Sequence, residues 1–169
     1  EEIVDTMMSF ARGRGLIICV SAGNKGSNTY TGAAKSIDGV IAVHATDTMD
    51  RLARFSNYGS TMGVSAPGMA ILSTVPTYTN PYSGAPAPLD GLKSLNGTSM
   101  ASPHVAGGMA IVKGAVMDRF PELSAGEQKD MVDTLLMCTS SIVYDGDTPV
   151  SPRKQGAGLM DINAAGQVA

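Results

Sequence analysis

Two short strings in this 169-residue chain place polar groups where acyl-transfer chemistry would need them. The first is Gly97-Thr98-Ser99. A serine hydroxyl is a weak nucleophile until a base takes its proton and a dipole field favours the charge that develops. A serine that follows a glycine turn and opens a helix has that field supplied by unpaired backbone N–H groups. The N–H of Ser99 itself would then point at a developing oxyanion. The plain alternative is an N-cap serine, and local chemistry alone favours it. The second string is Ser21-Ala22-Gly23-Asn24, which closes an apolar run. A carboxamide donates hydrogen bonds to negative charge without titrating. In isolation such an asparagine is more often a turn residue than a catalytic one.

Other reactive side chains are few. The chain has two histidines, His44 and His104, and two cysteines, Cys19 and Cys138, too few for a Cys/His zinc site. Both cysteines are expected as buried, reduced thiols, since their spacing supports no disulfide framework. His104 follows Ser99 by five positions on one helix. At about 100° per residue it points about 140° away from the serine and cannot be its base. It is expected to be packed or bonded to backbone, and His44, beside a strand, to be structural or exposed. Neither G-x-G-x-x-G nor G-x-x-x-x-G-K-[ST] occurs, so the Gly-rich stretch after Val20 gives no support for nucleotide binding. Asn96-Gly97-Thr98 matches a glycosylation sequon, but its position in the nucleophile turn argues against modification.

The elements that must hold these groups follow from periodicity. Residues 1–13 carry apolar side chains at helical spacing, stopped by Gly13 and Gly15. Leu16–Ala22 is a short, continuously apolar, β-branched run, and Val40–Ala45 reads as a second buried strand. They predict strands covered on both faces, as in a parallel sheet. Asp47–Ser60 reads as a turn-rich connection. Gly63–Ala66 and Ala70–Val75 flank the Pro67-Gly68 turn, and Pro76–Gly91 reads as a surface loop. Gly97–Asp118 is a helix rich in small residues, expected to pack closely on all sides. Gly107 and Gly108 inside it call for a packing reason, such as close approach of another backbone, and Pro103 is expected in its first turn. A second helix spans about Ser124–Cys138, with Ser124 and Glu127 as a capping box. Pro149–Gln155 reads as a loop and Asp161–Val168 as a short helix. With 43% hydrophobic residues the chain has material for a core, and a net charge of −3 without basic runs argues against nucleic acid. No apolar run approaches the ~18 residues of a membrane span.

The string Asn96-Gly97-Thr98-Ser99-Met100-Ala101-Ser102-Pro103-His104-Val105-Ala106-Gly107 resembles, residue for residue, the catalytic-serine motif of the subtilisin-like serine proteases. Ala22-Gly23-Asn24 resembles that family's oxyanion-hole segment. The 75-residue separation of Asn24 and Ser99 is that of members without a large insertion. Arg54-Phe55-Ser56-Asn57-Tyr58-Gly59 resembles its Phe-Ser-x-x-Gly loop, Val64–Gly68 its Ala-Pro-Gly turn, and Gln155–Asp161 its closing Gly-x-Gly segment. The resemblance covers about Gly15 to Ala165. It implies a three-layer α/β fold, a mostly parallel sheet flanked by helices. It also implies Ser99 as nucleophile and Asn24 as oxyanion donor, with Ser102 a helix-interior serine. Ser21, Ala22, Gly23 and Thr98, with part of Asn28–Ala33, would border the substrate. The implied partner is a polypeptide, and family habit places the protein outside the cell or in its envelope. No cofactor is implied. Structural calcium, common in the family, has no acidic cluster here to receive it.

The family's Asp-Thr/Ser-Gly and His-Gly-Thr motifs, and its upstream Ser-x-Gly strand, do not occur in this sequence. Residues 1–169 are therefore expected to be the C-terminal portion of one catalytic domain, partnered by a missing N-terminal half and inactive alone. The alternatives are a chain complemented by a second polypeptide and a non-catalytic binding module on the same fold. Met100 adjoins the nucleophile. Peroxide is expected to lower peptidase activity of the full-length protein as Met100 becomes the sulfoxide. Peptide mapping alongside activity checks this, and unchanged activity with Met100 fully oxidised would refute it.

Overall fold

The computed structural model describes residues 2–30, 39–59, 63–79, 84, 86, 88 and 91–169. Its centre is a parallel sheet of Cys19–Ser21 (β1), Ile41–Thr46 (β2) and Gly63–Pro67 (β3), in that spatial order. β2 is buried at all six positions, His44 and Thr46 included, as a strand covered on both faces must be. Side chains alternate across a strand. Ile41, Val43 and Ala45 join the core on one face, while Ala42 lies with Ala22 and Tyr30 on the other. β1 is shorter than the run Leu16–Ala22 suggested and only half-buried. It is the outer strand and pairs with β2 alone among the described residues. The β3 edge is different. Ser65 N–H donates to Gly158 O at 2.7 Å, and Met160 N–H donates to Ser65 O at 2.9 Å. The closing Gly-Ala-Gly segment thus lies along β3 as a partial fourth strand, bridged in parallel at Leu159.

Glu2–Gly13 (α1) precedes the sheet, as its periodicity predicted. Ile71–Thr74 (β4) pairs antiparallel with Leu92–Leu95 (β5), a strand the sequence did not disclose. Its Leu-Lys-Ser-Leu pattern is exposed throughout, so no buried face marks it. Part of the loop expected over Pro76–Gly91 lies outside the described residues.

Thr98–Arg119 (α2) is the central helix. Thr98, Ala101, Val105, Gly108, Val112 and Val116 are buried at spacings of three and four, and they face the sheet side of the core. The expected packing on all sides is not found. Ala106, Gly107, Ala110 and Gly114 are exposed, and Ile111 is 63% exposed. The described residues cover only one side of a helix that is apolar all round. Only one of the paired glycines is closely approached, and by side chains instead of backbone. A Cβ on Gly108 would stand 2.8 Å from Met160 Sδ and 3.0 Å from Ile162 Cδ1, whereas one on Gly107 would meet nothing within 4 Å. Pro103 falls beyond the first turn, because the helix already begins at Thr98. Its missing N–H therefore removes a bond that Ser99 C=O would otherwise accept.

Ala125–Thr139 (α3) packs on α2 and opens with the expected capping box. Glu127 N–H donates to Ser124 Oγ at 3.3 Å, and Ser124 N–H donates to Glu127 Oε2 at 2.8 Å. Tyr144–Asp145 (β6) and Thr148–Pro149 (β7) form a small hairpin. Pro152–Gln155 (α4) is a single turn where a plain loop was expected. Ile162–Val168 (α5), capped by Asp161, closes the fold against α2 and α3. Both cysteines are free. Cys19 is half-buried and Cys138, expected inside, is exposed near the end of α3.

Gly156 has φ +68, and a Cβ there would collide with the Gly63 carbonyl. Gly126, by contrast, is an exposed helical residue with Ser124 Oγ at 4.0 Å as its nearest neighbour. In the full-length protein Gly156→Ala is expected to destabilise by more than about 2 kcal/mol, and Gly126→Ala to stabilise by roughly 0.5 kcal/mol. Chemical denaturation of the two variants measures both, and a Gly156→Ala midpoint equal to the native one would refute the packing.

Candidate active site

The site is built where three turns meet. Gly97 ends the β5 connection with φ 157 and ψ 158, a region that glycine alone reaches readily. Its N–H donates to Gly68 O at 2.8 Å, so the Pro67-Gly68 turn holds the start of α2. A Cβ on Gly68 would stand 2.6 Å from Ala45 Cβ and 2.8 Å from Gly97 O. The glycine is what lets the turn, the sheet and the helix start come together. Asn96 Oδ1 ties the same junction down by accepting Ala70 N–H at 2.6 Å.

Ser99 is the second residue of α2 and is exposed. Asn24, exposed on the loop after β1, reaches the same place. Its Oδ1 accepts Thr98 N–H and the Thr98 hydroxyl, both at 2.9 Å. The Thr98 hydroxyl oxygen in turn accepts Gly23 N–H at 3.2 Å. Two donors aimed at one oxygen decide which way the carboxamide lies: oxygen toward Thr98, nitrogen outward. The point where a Gly97 Cβ would stand is 3.4 Å from Asn24 Nδ2, 3.7 Å from Ser99 N and 3.5 Å from Met100 Sδ. Two N–H-bearing nitrogens, of the Asn24 carboxamide and the Ser99 backbone, therefore stand close to one point beside Gly97 at a helix N-terminus. Such an arrangement favours negative charge on an oxygen placed there.

Of the other residues singled out in the sequence, Ala22 and Thr98 are buried, and Ser21 and Gly23 are half-buried at the end of β1. The Thr98 side chain turns inward to Asn24. This orienting contact could not be read from the motif. Residues 31–33 of the Asn28–Ala33 stretch lie outside the described residues. The Arg54–Gly59 loop packs beneath the Asn24 segment, with Gly26 N–H donating to Phe55 O at 2.7 Å. Ser102 lies one turn along the helix, its hydroxyl donating to Cys19 Sγ at 3.9 Å. Burial pushes the Cys19 thiol up, so it is held protonated.

Neither histidine reaches Ser99. His104 is exposed and its Nδ1 bonds the Met100 carbonyl at 2.8 Å, the backbone contact expected of it. His44 is fully buried in β2 on the face away from α2, stacked on Tyr30 with Nε2 3.1 Å from the Tyr30 hydroxyl. Among the described residues no group of three or more His, Cys, Asp or Glu is placed to hold a metal. No described helix is long and apolar enough to cross a membrane.

A parallel sheet, an apolar central helix with a serine as its second residue, and a carboxamide locked beside it define a partial subtilisin-like α/β fold. The model of the subtilase family matches residues 1–158, and the chain belongs to that family. It is 36% identical over 157 residues to subtilisin DY of Bacillus licheniformis, covering 90% of this chain and 47% of that protein. Over 101 residues, 59% of this chain and 16% of the relative, it is 46% identical to an extracellular protease of Xanthomonas campestris. Among solved structures, the patellamide maturation protease PatA superposes with a TM-score of 0.75 at 28% identity. That match covers 98% of this chain and 55% of PatA. The chain thus spans about half the length of subtilisin DY.

Burial lowers the His44 pKa from 6.5 to about 4. The unfolded chain takes up this proton below about pH 6.5, while the folded chain refuses it until about pH 4. Stability from this residue is whole above pH 6.5 and declines as pH falls toward 4, by at most about 3 kcal/mol. Melting of the full-length protein from pH 7 to pH 4.5 is expected to fall more steeply than melting of its His44→Gln variant. Parallel curves would refute the assignment.

Proposed function

We propose that the protein is a serine endopeptidase that cleaves polypeptide through an acyl-enzyme, with Ser99 as its nucleophile. The observation that carries this reading is the convergence of Asn24 Nδ2 and Ser99 N on one point beside Gly97. Ser99 Oγ attacks the scissile carbonyl, and the oxygen that gains charge is held by the Asn24 carboxamide and the Ser99 N–H. Thr98 keeps the carboxamide nitrogen turned outward. Ser21, Ala22 and Gly23, at the end of β1, border the substrate chain. The proton of Ser99 goes to a histidine, oriented by an aspartate, that this sequence does not supply. Residues 1–169 are the C-terminal portion of one catalytic domain, and the remainder brings both residues. The open apolar side of α2 and the exposed Ile3, Met7 and Phe10 of α1 give that remainder a surface to cover. Peptide is the substrate class, and the protein works outside the cell or in its envelope.

A second reading is a binding module that has kept the fold without the chemistry. It is favoured by the placement of His44 and His104, neither of which can serve Ser99. The protein made from its complete coding sequence separates the two. A serine-directed phosphonate is expected to label the native protein on Ser99 and to leave Ser99→Ala unlabelled. Labelling that persists in Ser99→Ala would exclude Ser99 as nucleophile. A folded native protein that takes no label would favour the binding module.

A further inference from the structure

We propose that Asn57 is a positioning residue that sets the Asn24 carboxamide by clamping the backbone on both sides of it. The inference rests on the reading of Asn24 as the oxyanion donor. Asn57 is fully buried, although it lies in a loop. Its Oδ1 accepts Lys25 N–H at 2.8 Å, Ser27 N–H at 3.2 Å and the Ser27 hydroxyl at 3.4 Å. Its own N–H donates to Gly23 O at 2.8 Å. Gly23, Lys25 and Ser27 are thus tied to one residue, while no hydrogen bond joins Asn57 to Asn24 itself among the described residues. Its Nδ2 finds no acceptor among the described residues, so within the side chain Oδ1 alone does the holding, beside the backbone bond to Gly23.

The clamp is fixed to the most buried strand of the protein. Ala45 N–H, in β2, donates to Ser56 Oγ at 3.1 Å, and Ala53 N–H donates to Ala45 O at 2.8 Å. Ser56 N–H donates to Ala53 O at 2.9 Å, which closes the turn leading into Asn57. The Asn24 loop needs such an anchor, because Asn24, Lys25 and Gly26 are all exposed and bury little of their own. Thr98 decides which way the carboxamide lies, and Asn57 decides where its backbone stands. An oxyanion donor acts only if it is held within a few tenths of an ångström before the charge develops.

The test is a double-mutant cycle in the full-length protein, read as kcat and KM on a peptide substrate. Asn57→Leu is expected to lower kcat about 10- to 100-fold with KM changed less than about twofold, as misplacement of a catalytic group does. In an Asn24→Ala background the same change is expected to cost less than about threefold, because the group it positions is gone. Asn57→Asp keeps the acceptor oxygen and is expected to recover most of the lost kcat. Equal losses from Asn57→Leu in both backgrounds would overturn the proposal, as would a folded Asn57→Asp no better than Asn57→Leu. Amide exchange of the native protein needs no variant. The Lys25 and Ser27 N–H groups are expected to exchange slowly, and exchange at the free-peptide rate would also overturn the clamp. If Asn24→Ala alone leaves kcat unchanged, the oxyanion reading has failed, and the exchange rates still decide whether Asn57 holds the loop.

Discussion

The site depends on one small hydrogen-bond relay. Gly23 N–H donates to the Thr98 hydroxyl, which donates to Asn24 Oδ1, and Thr98 N–H donates to the same oxygen. An amide side chain has two faces of similar shape and opposite polarity, and nothing in its own geometry says which should face out. Thr98 answers that question with two donors from one residue. Thr98 is fully buried and Asn24 is exposed, so the relay runs from the interior to the surface and fixes an exposed side chain from beneath. It also joins the two halves of the site. The loop after β1 and the first turn of α2 are distant in sequence, and here they share an oxygen.

The rest of the fold brings those two segments to one place. β1 delivers Asn24 from the outer strand of the sheet, and α2 is pressed onto that sheet by Ala101, Val105 and Val112. Gly68 removes the side chain that would keep the turns apart, and Gly97 takes a backbone conformation that other residues rarely reach. The Gly97–Gly68 contact is a hydrogen bond between backbone atoms, and it survives most changes of side chain nearby. The glycines themselves do not share that tolerance.

Much of this was legible beforehand, for identifiable reasons. Val40–Ala45 is apolar but for His44, a pattern that suits a strand covered on both faces, and β2 is such a strand. Ser124 and Glu127 carry a start signal that acts within four residues and needs no tertiary context. Ser99 and Asn24 were found from residue strings, and their proximity could not have been read from those strings alone. The failures share a cause as well. Leu16–Ala22 looked like a fully covered strand, but apolar character does not say whether a strand lies in the middle of a sheet or at its border. Leu92–Leu95 has no buried face, so its pairing with β4 left no periodic mark. α2 looked surrounded because it is apolar all round, yet the described residues cover one side. Cys138 was expected inside as a reduced thiol, yet it is exposed near the end of α3, and its spacing carries no sign of which face of the helix it takes. The inward turn of Thr98 and the grip of Asn57 depend on partners dozens of residues away, which no local pattern encodes.

The two borders of the central sheet are unequal, and this governs how the molecule meets other chains. Along β3 the backbone groups are taken by Gly158 and Met160, and that border is closed. Along β1 they face outward among the described residues. Unpaired strand borders recruit further strands. An object adhesive on both borders stacks without limit into fibres, whereas one adhesive on a single border is satisfied by one neighbour. Of the two borders of the central sheet, β1 is therefore the one that leaves backbone groups for a further strand to pair with.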